Sequence, residues 1–232
     1  MPKFLAEFFP NVANYWDIFK QALQATYQMF FIAGLITLLI GGAFGIALIV
    51  TKTDGIKPNR IVHFILEVVT NVFRAVPFII LLIFLIPLTR SIAGTSIGVK
   101  GAIVPLVFGA VPFYTRQVET ALADVNPGKI EAARSMGSST IGIVFRVYLH
   151  EALPDLIRVT TITAISLIGL TTSAGAVGAG GIGSFAINYG QNLHYQDVVN
   201  LCVILLLIIV SLIQLLGNTL SRAAVNKELF HK

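Results

Sequence analysis

Charged residues and cysteines are scarce in this sequence of 232 residues. Only 12% of the residues are charged, whereas 56% are hydrophobic, and the mean hydropathy is +0.84. This balance excludes an ordinary soluble domain and is typical of a chain that crosses a membrane several times. The single cysteine, Cys202, cannot form an intrachain disulfide, and its apolar surroundings in the sequence predict inert packing.

Nucleotide-binding loops are also missing. Gly178, Gly180 and Gly183 match the dinucleotide pattern G-x-G-x-x-G, but hydrophobic spans lie on both sides and no βαβ unit surrounds them. The Gly-Lys pair at 128–129 is followed by isoleucine, so it is not part of a phosphate-binding P-loop. The chain is therefore expected to have no P-loop of its own, and no catalytic, cofactor or metal site is predicted in it.

Long apolar stretches predict an all-α polytopic membrane protein with five transmembrane helices. Residues 21–51 and 198–221 carry no charge at all, and about 20 residues suffice for one crossing. Gly41 and Gly45 have the spacing that lets helices pack closely in lipid. Residues 1–20 are expected to form an extracytoplasmic lead-in and residues 223–232 a cytoplasmic tail. The transmembrane domain, 21–222, is predicted to contain helices over 21–51, 61–88, 101–123, 156–176 and 198–221.

The positions of the basic residues predict how the chain is oriented. If the polar loop over residues 124–154 is cytoplasmic, eleven of the 16 Lys and Arg residues fall inside, four fall outside, and Arg74 lies in a span. The net charge of +5 then reflects membrane topology rather than affinity for nucleic acid. The N-terminus is expected outside and the C-terminus in the cytoplasm. No secretory signal peptide is expected, because no clean apolar run with a cleavage site follows Met1.

The loop over residues 124–154 is the one long polar interruption of the apolar pattern, and it predicts two short helices. Asn126 and Pro127 suit the N-cap and the first position of a helix that ends at Gly137 in a left-handed turn. One of the two serines that follow is expected to cap the second helix. The apolar residues of that helix form one predicted stripe: Ile141, Val144, Phe145, Tyr148, Leu149 and Leu153.

The first of these two helices offers one charge beside small side chains. Small residues let a groove on a partner approach the backbone closely, whereas a solvated loop without a partner is the alternative interpretation. The residues expected to form the docking surface are Glu131, Ala132, Ala133 and Gly137.

Polar residues inside the predicted spans have two interpretations. Arg74 either lies shallow and snorkels towards the cytoplasm, or lines the inner mouth of a translocation path. The fourth predicted helix is rich in hydroxyl groups, among them Thr171, Thr172 and Ser173. These hydroxyls either bond to carbonyls of their own helix or border a polar path.

Six segments together resemble the permease subunit of bacterial methionine ABC importers, a family of type I importers. The likeness covers nearly everything after the first twenty residues. The segments are FRAVPFIILL (73–82), GTSIG (94–98), AIVPL (102–106), EAARSMG (131–137), EALP (151–154) and AGAVGAGGIG (174–183).

The resemblance implies a bacterial plasma-membrane permease for methionine or a related small amino acid. It further implies a second copy of the chain, two separate ATPase subunits and an extracytoplasmic substrate-binding protein as partners. Glu131, Ala132, Ala133 and Gly137 fall on the family's docking helix, which couples the permease to the ATPase.

One position departs from the family pattern. Where Leu-Pro usually follows the second helix of the loop, this chain has Leu149-His150 and keeps the later Pro154. Proline ends or bends a helix, so the place of the bend is left open.

A secondary transporter or channel that works without an ATPase is the alternative function. Such proteins more often carry ionisable residues deep in their spans, and here Arg74 is the one such residue, near the end of its helix. A membrane scaffold without transport activity would not need a hydroxyl-rich helix beside a docking loop.

Overall fold

The computed structural model describes residues 7–230, and the side chains of residues 7–225. The described chain is helical and contains no β-strand. The helices are α1 (Pro10–Asn14), α2 (Trp16–Thr51), α3 (Arg60–Ala75), α4 (Phe78–Phe84), α5 (Ile86–Ala93), α6 (Gly98–Ala123), α7 (Pro127–Ser135), α8 (140–151), α9 (Leu153–Ala174), α10 (Gly181–Phe185) and α11 (Gln196–Phe230).

The helices are those of a polytopic membrane protein, as predicted. Within the described residues, α2, α6, α9 and α11 are each long and apolar enough to cross a membrane. A fifth span is present if α3 and α4, which are separated by a sharp bend, count as one crossing. The prediction of an all-α membrane protein is therefore confirmed.

The second predicted span is interrupted, whereas the sequence predicted one helix over residues 61–88. α3 ends at Ala75 and α4 begins at Phe78, with Pro77 (φ −56°, ψ 135°) immediately before it. Proline lacks the N–H that would continue the helix, and it disfavours helical conformation in the preceding residue. These two effects end α3 at the break.

The other helices also differ at their ends from the predicted ranges. α2 begins at Trp16, whereas the prediction started the helix at residue 21, after the last charged residue. Asp17 and Lys20, whose charged groups are 2.7 Å apart, lie inside the first turns of α2. An acidic residue at a helix N-terminus is favoured by the helix dipole, so charge does not mark the helix start here. The expected lead-in over 1–20 therefore overlaps α2, and its residues 1–6 lie outside the described residues.

Contacts divide the described chain into two compact units. Unit 1 comprises residues 7–35, 76–109 and 164–213, and unit 2 comprises residues 36–75, 110–163 and 214–230. Each unit is built from three separate stretches of sequence. Their cores are described one at a time below.

The core of unit 1 joins the start of α2 to α10 and α11. Phe19 is buried against Phe185, with ring centroids 5.3 Å apart, and Val198 is fully buried in the same cluster. The buried Thr26 hydroxyl accepts a hydrogen bond from the Ile182 backbone N–H at 2.8 Å. Since a buried N–H without a partner is costly, this bond fixes the entry to α10.

Unit 2 packs α2 against α6 through the two glycines that the sequence singled out. A Cβ on Gly45 would lie 2.6 Å from the Cβ of Val118, and one on Gly41 would lie 3.1 Å from the Val111 carbonyl oxygen. Real side chains do not approach so closely, so glycine permits the contact. The predicted close packing at this spacing is confirmed.

A polar cluster holds α3 on α6 within unit 2. Arg116 donates to Glu119 at 2.6 Å, to Asn71 at 3.1 Å and to Glu67 at 3.4 Å. His63 lies 3.8 Å from Glu67 on the same face of α3. The opposite face of α3 is apolar and exposed, so this helix directs its polar side towards protein.

Candidate coupling and translocation sites

Helix α7 begins with the predicted capping residues. The Asn126 side-chain oxygen accepts a hydrogen bond from the Gly128 backbone N–H at 2.8 Å, and Pro127 occupies the first helical position. One of the free N–H groups at the helix start is thereby satisfied, and proline has none to satisfy. The predicted start of this helix is confirmed.

Helix α7 ends at Gly137 with the predicted left-handed turn. Gly137 has φ +75°, and its N–H donates to the Arg134 carbonyl at 2.9 Å. The N–H of Ser138 donates to the Ala133 carbonyl at 3.1 Å. This pair of bonds is a Schellman motif, which favours glycine because residues with a Cβ are strained at positive φ.

The four predicted docking residues divide between the surface and the core. Glu131, Ala132 and Gly137 are exposed, and nothing lies within 4 Å of a Cβ placed on Gly137. Ala133, in contrast, is 5% exposed and belongs to the core of unit 2. The expectation that Ala133 contributes to an open docking surface is therefore corrected. Its small side chain lets α7 pack closely on the core beneath it.

Helix α8 begins at the second of the two candidate serines. The Ser139 hydroxyl oxygen accepts a hydrogen bond from the Gly142 backbone N–H at 3.1 Å. The helix then passes through a π-helical turn over Val144–Tyr148 and ends with Leu149–Glu151. Such a turn inserts an extra residue and changes which side chains share a face.

The apolar stripe predicted for this helix is only partly buried. Val144 and Tyr148 are buried in the core, whereas Ile141 is 72% exposed and Phe145 is 64% exposed. The stripe is thus divided along its length: the row of Val144 and Tyr148 packs in the core, and the row of Ile141 and Phe145 lies on its exposed edge. Burial raises the pKa of the Tyr148 phenol, and nearby Asp54 raises it further while Arg134 lowers it. The phenol is thus uncharged at neutral pH in this core.

The sequence left open where the chain bends, because His150 replaces the usual proline. In the structure the bend lies two residues after His150. α8 continues through His150 to Glu151, and the chain breaks at Ala152 (φ −85°, ψ 3°). Pro154 is the second residue of α9, where the helix has no partner for an N–H and proline is tolerated. The proline retained at 154 is thus compatible with the start of α9 rather than with a kink inside it.

Two contacts fix α7 against the rest of unit 2, and sequence reasoning missed both. The Lys129 ammonium pairs with the Glu151 carboxylate at the end of α8. The Arg134 guanidinium donates to the backbone carbonyl of Ile56 at 3.0 Å. The first pair is 22 residues apart in sequence and the second is 78 apart, so no local pattern indicates either.

Arg74 lies in the last turn of α3, just before the break at Pro77. Its side chain is exposed, and among the residues whose side chains the structure describes, none forms a hydrogen bond or ion pair with it. A positive charge at a helix C-terminus is favoured by the helix dipole. This position is compatible with both interpretations of Arg74, since an unpaired cation is available either to solvent or to a solute.

The three hydroxyl residues near the end of α9 differ in accessibility. Thr171 is 1% exposed, and its hydroxyl donates to the Ile168 carbonyl at 2.8 Å. Thr172 donates to the same carbonyl at 3.0 Å. Ser173 is half-buried on the helix side that also contains the exposed Gly169. Thr172 is half-buried as well, so among the described residues Ser173 differs from both threonines in that its hydroxyl makes no hydrogen bond to its own helix.

The glycine-rich segment after α9 is a tight elbow of the backbone. Gly178, Gly180 and Gly181 all have positive φ, between +81° and +93°. A Cβ on Gly183 would lie 2.0 Å from the Thr172 carbonyl oxygen, so α10 packs on the end of α9 through bare backbone. The glycines of this segment therefore serve a sharp turn and close helix packing.

No cluster of ligands for a metal ion is found in the part of the chain that the structure describes. The two candidate sites are thus the exposed residues of α7, with one charge beside small side chains, and the half-buried hydroxyl residues near the end of α9.

Comparisons with known proteins identify the relatives of this chain and support its fold. The chain is 39% identical over 206 residues to the probable D-methionine transport system permease protein of Vibrio cholerae, covering 89% of this chain and 92% of that protein. It is 42% identical over 174 residues to the methionine import system permease protein of Bacillus subtilis, covering 75% and 78% of the two chains. A solved structure of the MetNI methionine ABC transporter in an inward-facing conformation superposes with a TM-score of 0.88 at 42% identity, covering 91% of this chain and 98% of that one.

A family match covers the region that contains both candidate sites. The family described as "binding-protein-dependent transport system inner membrane component" matches residues 43–227, which include α3, α7 and α9. This range is most of the chain, and the helices found in it are those of a membrane protein. The chain therefore belongs to the family of binding-protein-dependent transport system inner membrane components.

Proposed function

We propose that this chain is the permease subunit of an ATP-driven importer for methionine or a related small amino acid. The observation that carries the proposal is the capped helix α7, with its exposed Glu131 and Ala132, in a chain that covers 92% of a relative named as a D-methionine transport permease. Its partners are two ATPase subunits, a second copy of the chain and an extracytoplasmic substrate-binding protein. Membrane lipid surrounds the apolar helices.

Coupling in this proposal works through α7. The exposed Glu131, Ala132 and Gly137 contact the ATPase, and Ala133 sets the depth at which α7 packs on its own core. Closure of the ATPase pair on ATP moves α7, which biases the permease between inward-open and outward-open states. A nucleotide or solute drives such a switch only through different affinities for the two states.

Translocation in this proposal uses the accessible side of α9. Ser173 borders the path of the solute, and Thr171 and Thr172 stabilise the same stretch of helix by bonding to its backbone. Small side chains on that side allow two copies of the chain to approach closely and to separate. We also propose that Arg74 lies at the inner mouth of the translocation path, where its unpaired positive charge attracts the carboxylate of an amino acid.

The experiment that tests the proposal is reconstitution with the ATPase. The tagged chain is co-expressed with a candidate ATPase subunit and a substrate-binding protein, purified in detergent and placed in proteoliposomes. We expect the ATPase to co-purify and labelled methionine to accumulate only when ATP is supplied. Methionine uptake without the ATPase subunit would contradict the proposal and favour a secondary transporter or channel.

The orientation follows from the charge distribution and is tested independently. We propose that residues 124–154 and 223–232 lie in the cytoplasm and that the N-terminus lies outside. In a Cys202→Ala background, Leu5→Cys is expected to react with an impermeant thiol reagent on intact cells, whereas Glu228→Cys reacts only after permeabilisation. Labelling of the second variant but not of the first on intact cells would reverse the orientation.

A further inference from the structure

The polar loop between α2 and α3, residues 52–59, is folded onto the end of α2. Lys57 N–H donates to the Val50 carbonyl at 3.1 Å, and Asn59 N–H donates to the Thr51 carbonyl at 3.0 Å. A Cβ on Gly55 would lie 2.5 Å from the Val50 carbonyl oxygen, so the turn fits glycine alone. The loop is thus a short rigid connector rather than a flexible tether.

The same loop fixes the start of α3. The Asn59 side-chain oxygen accepts hydrogen bonds from the backbone N–H groups of Ile61 at 3.2 Å and Val62 at 3.1 Å. This is an N-cap, which ties the orientation of the helix start to the residue before it. A displacement of the loop therefore displaces both the end of α2 and the start of α3.

The loop contacts the docking helix in two ways. The side chain of Ile56 is 8% exposed and belongs to the same buried cluster as Ala133 of α7 and Tyr148 of α8. The carbonyl oxygen of Ile56 accepts the 3.0 Å hydrogen bond from Arg134 of α7. A bond from a charged guanidinium is stronger than one between neutral groups. One residue is therefore held to α7 by both its side chain and its backbone.

We propose that Ile56 and Arg134 are positioning residues that transmit movement of α7 to α2 and α3. The proposed docking surface of α7 includes Glu131 and Gly137, whereas Ala133 is buried in the core of unit 2 and the exposed Arg134 donates to the Ile56 carbonyl. When the ATPase displaces α7, the contacts of α7 with Ile56 displace the loop over residues 52–59. The displaced loop then moves the end of α2 through the backbone hydrogen bonds and the start of α3 through the Asn59 cap. This inference rests on the proposed function, since it presupposes that α7 receives the ATPase.

The test separates transmission from docking. Arg134→Ala removes the hydrogen bond to Ile56 without changing a residue of the proposed docking surface, and Ile56→Ala removes the buried side chain. Lys57→Ala is the matched control, because it removes an exposed side chain from the same loop and leaves the backbone bonds in place. Each variant is purified with the ATPase and assayed in proteoliposomes for methionine transported per ATP hydrolysed.

We expect ATPase co-purification to stay at the wild-type level in all three variants. The ratio of transport to hydrolysis falls at least about fivefold in Arg134→Ala and in Ile56→Ala, which is the lower end of typical coupling between sites. It is unchanged in Lys57→Ala. Arg134→Lys restores part of the ratio, because an ammonium also donates to the carbonyl but lacks the planar guanidinium.

An unchanged ratio in Arg134→Ala would overturn the inference, as would loss of ATPase binding in proportion to the loss of transport. If Ile56→Ala fails to insert in the membrane, the two Arg134 variants still decide the question. Failure of the wild-type chain to bind the ATPase would contradict the proposed function itself, and the wild-type control detects that failure separately.

Discussion

Gly137→Asp is expected to lower methionine uptake strongly while leaving the chain inserted in the membrane. Gly137 has φ +75° and open space around it, so a side chain fits but is placed directly on the proposed docking surface. Aspartate is among the residues that tolerate left-handed conformation, at a cost of about 1–2 kcal/mol. A carboxylate buried without a partner in an interface costs several kcal/mol, so ATPase binding and uptake are expected to fall together by about tenfold or more.

Gly137→Asn is the control for this prediction. Asparagine has nearly the same shape and backbone preference as aspartate but carries no charge, so it is expected to retain more ATPase binding. The measurements are the amount of ATPase that co-purifies and the initial rate of uptake in proteoliposomes. Wild-type uptake by Gly137→Asp would remove Gly137 from the docking surface.

Ser173→Trp is expected to block transport in a complex that still contains its ATPase. The side of α9 that includes Ser173 is lined by small residues, so one large side chain there fills a narrow path. At a lipid-facing position the same change has little effect, because lipid rearranges around an indole. Leu207→Trp supplies that comparison, since Leu207 is 62% exposed on α11. Uptake is expected to be lost in the first variant and to remain near the wild-type rate in the second.

The readout for Ser173→Trp includes assembly as well as transport. The complex is purified by a tag on the ATPase, and its methionine uptake is compared with that of Ser173→Ala, which keeps the site small. Transport at the wild-type rate by an assembled Ser173→Trp complex would show that the path lies elsewhere. α9 would then be a packing helix whose hydroxyls bond to their own backbone, as Thr171 and Thr172 already do.

The ends of α7 could be predicted from the sequence because their causes are local. The cap at Asn126 and the left-handed Gly137 depend on side chains and backbone within three or four residues of one another. The close approach at Gly41 and Gly45 was also predictable, because its cause is the absence of a side chain. In each case the type of one residue, or of a few neighbours in sequence, determines the structure.

Features that depend on distant neighbours were not predictable in this way. The same alanine, Ala133, fits an open docking surface and a tight core equally well, and only the packing of α8 against α7 decides between them. The π-helical turn over Val144–Tyr148 leaves no mark in the hydrophobic pattern, so the sequence does not predict it. The contact of Arg134 with Ile56 uses a backbone carbonyl, which every residue has and no sequence pattern indicates.

Unit 1 is built from three stretches that are far apart in sequence, and this affects how it folds while the ribosome is still making the chain. Asn11 donates to the Asp197 carboxylate, and the two residues are 186 positions apart. At a ribosomal rate of about 5–20 residues per second, the asparagine is made about 10–40 s before its partner. Thr26 likewise precedes the Ile182 N–H that it binds by 156 positions. The start of α2 must therefore remain in the membrane with an incomplete set of contacts until the last helices have been inserted. During that interval a nascent chain exposes polar groups that the finished protein conceals, and these groups are available to insertion chaperones and quality-control proteases.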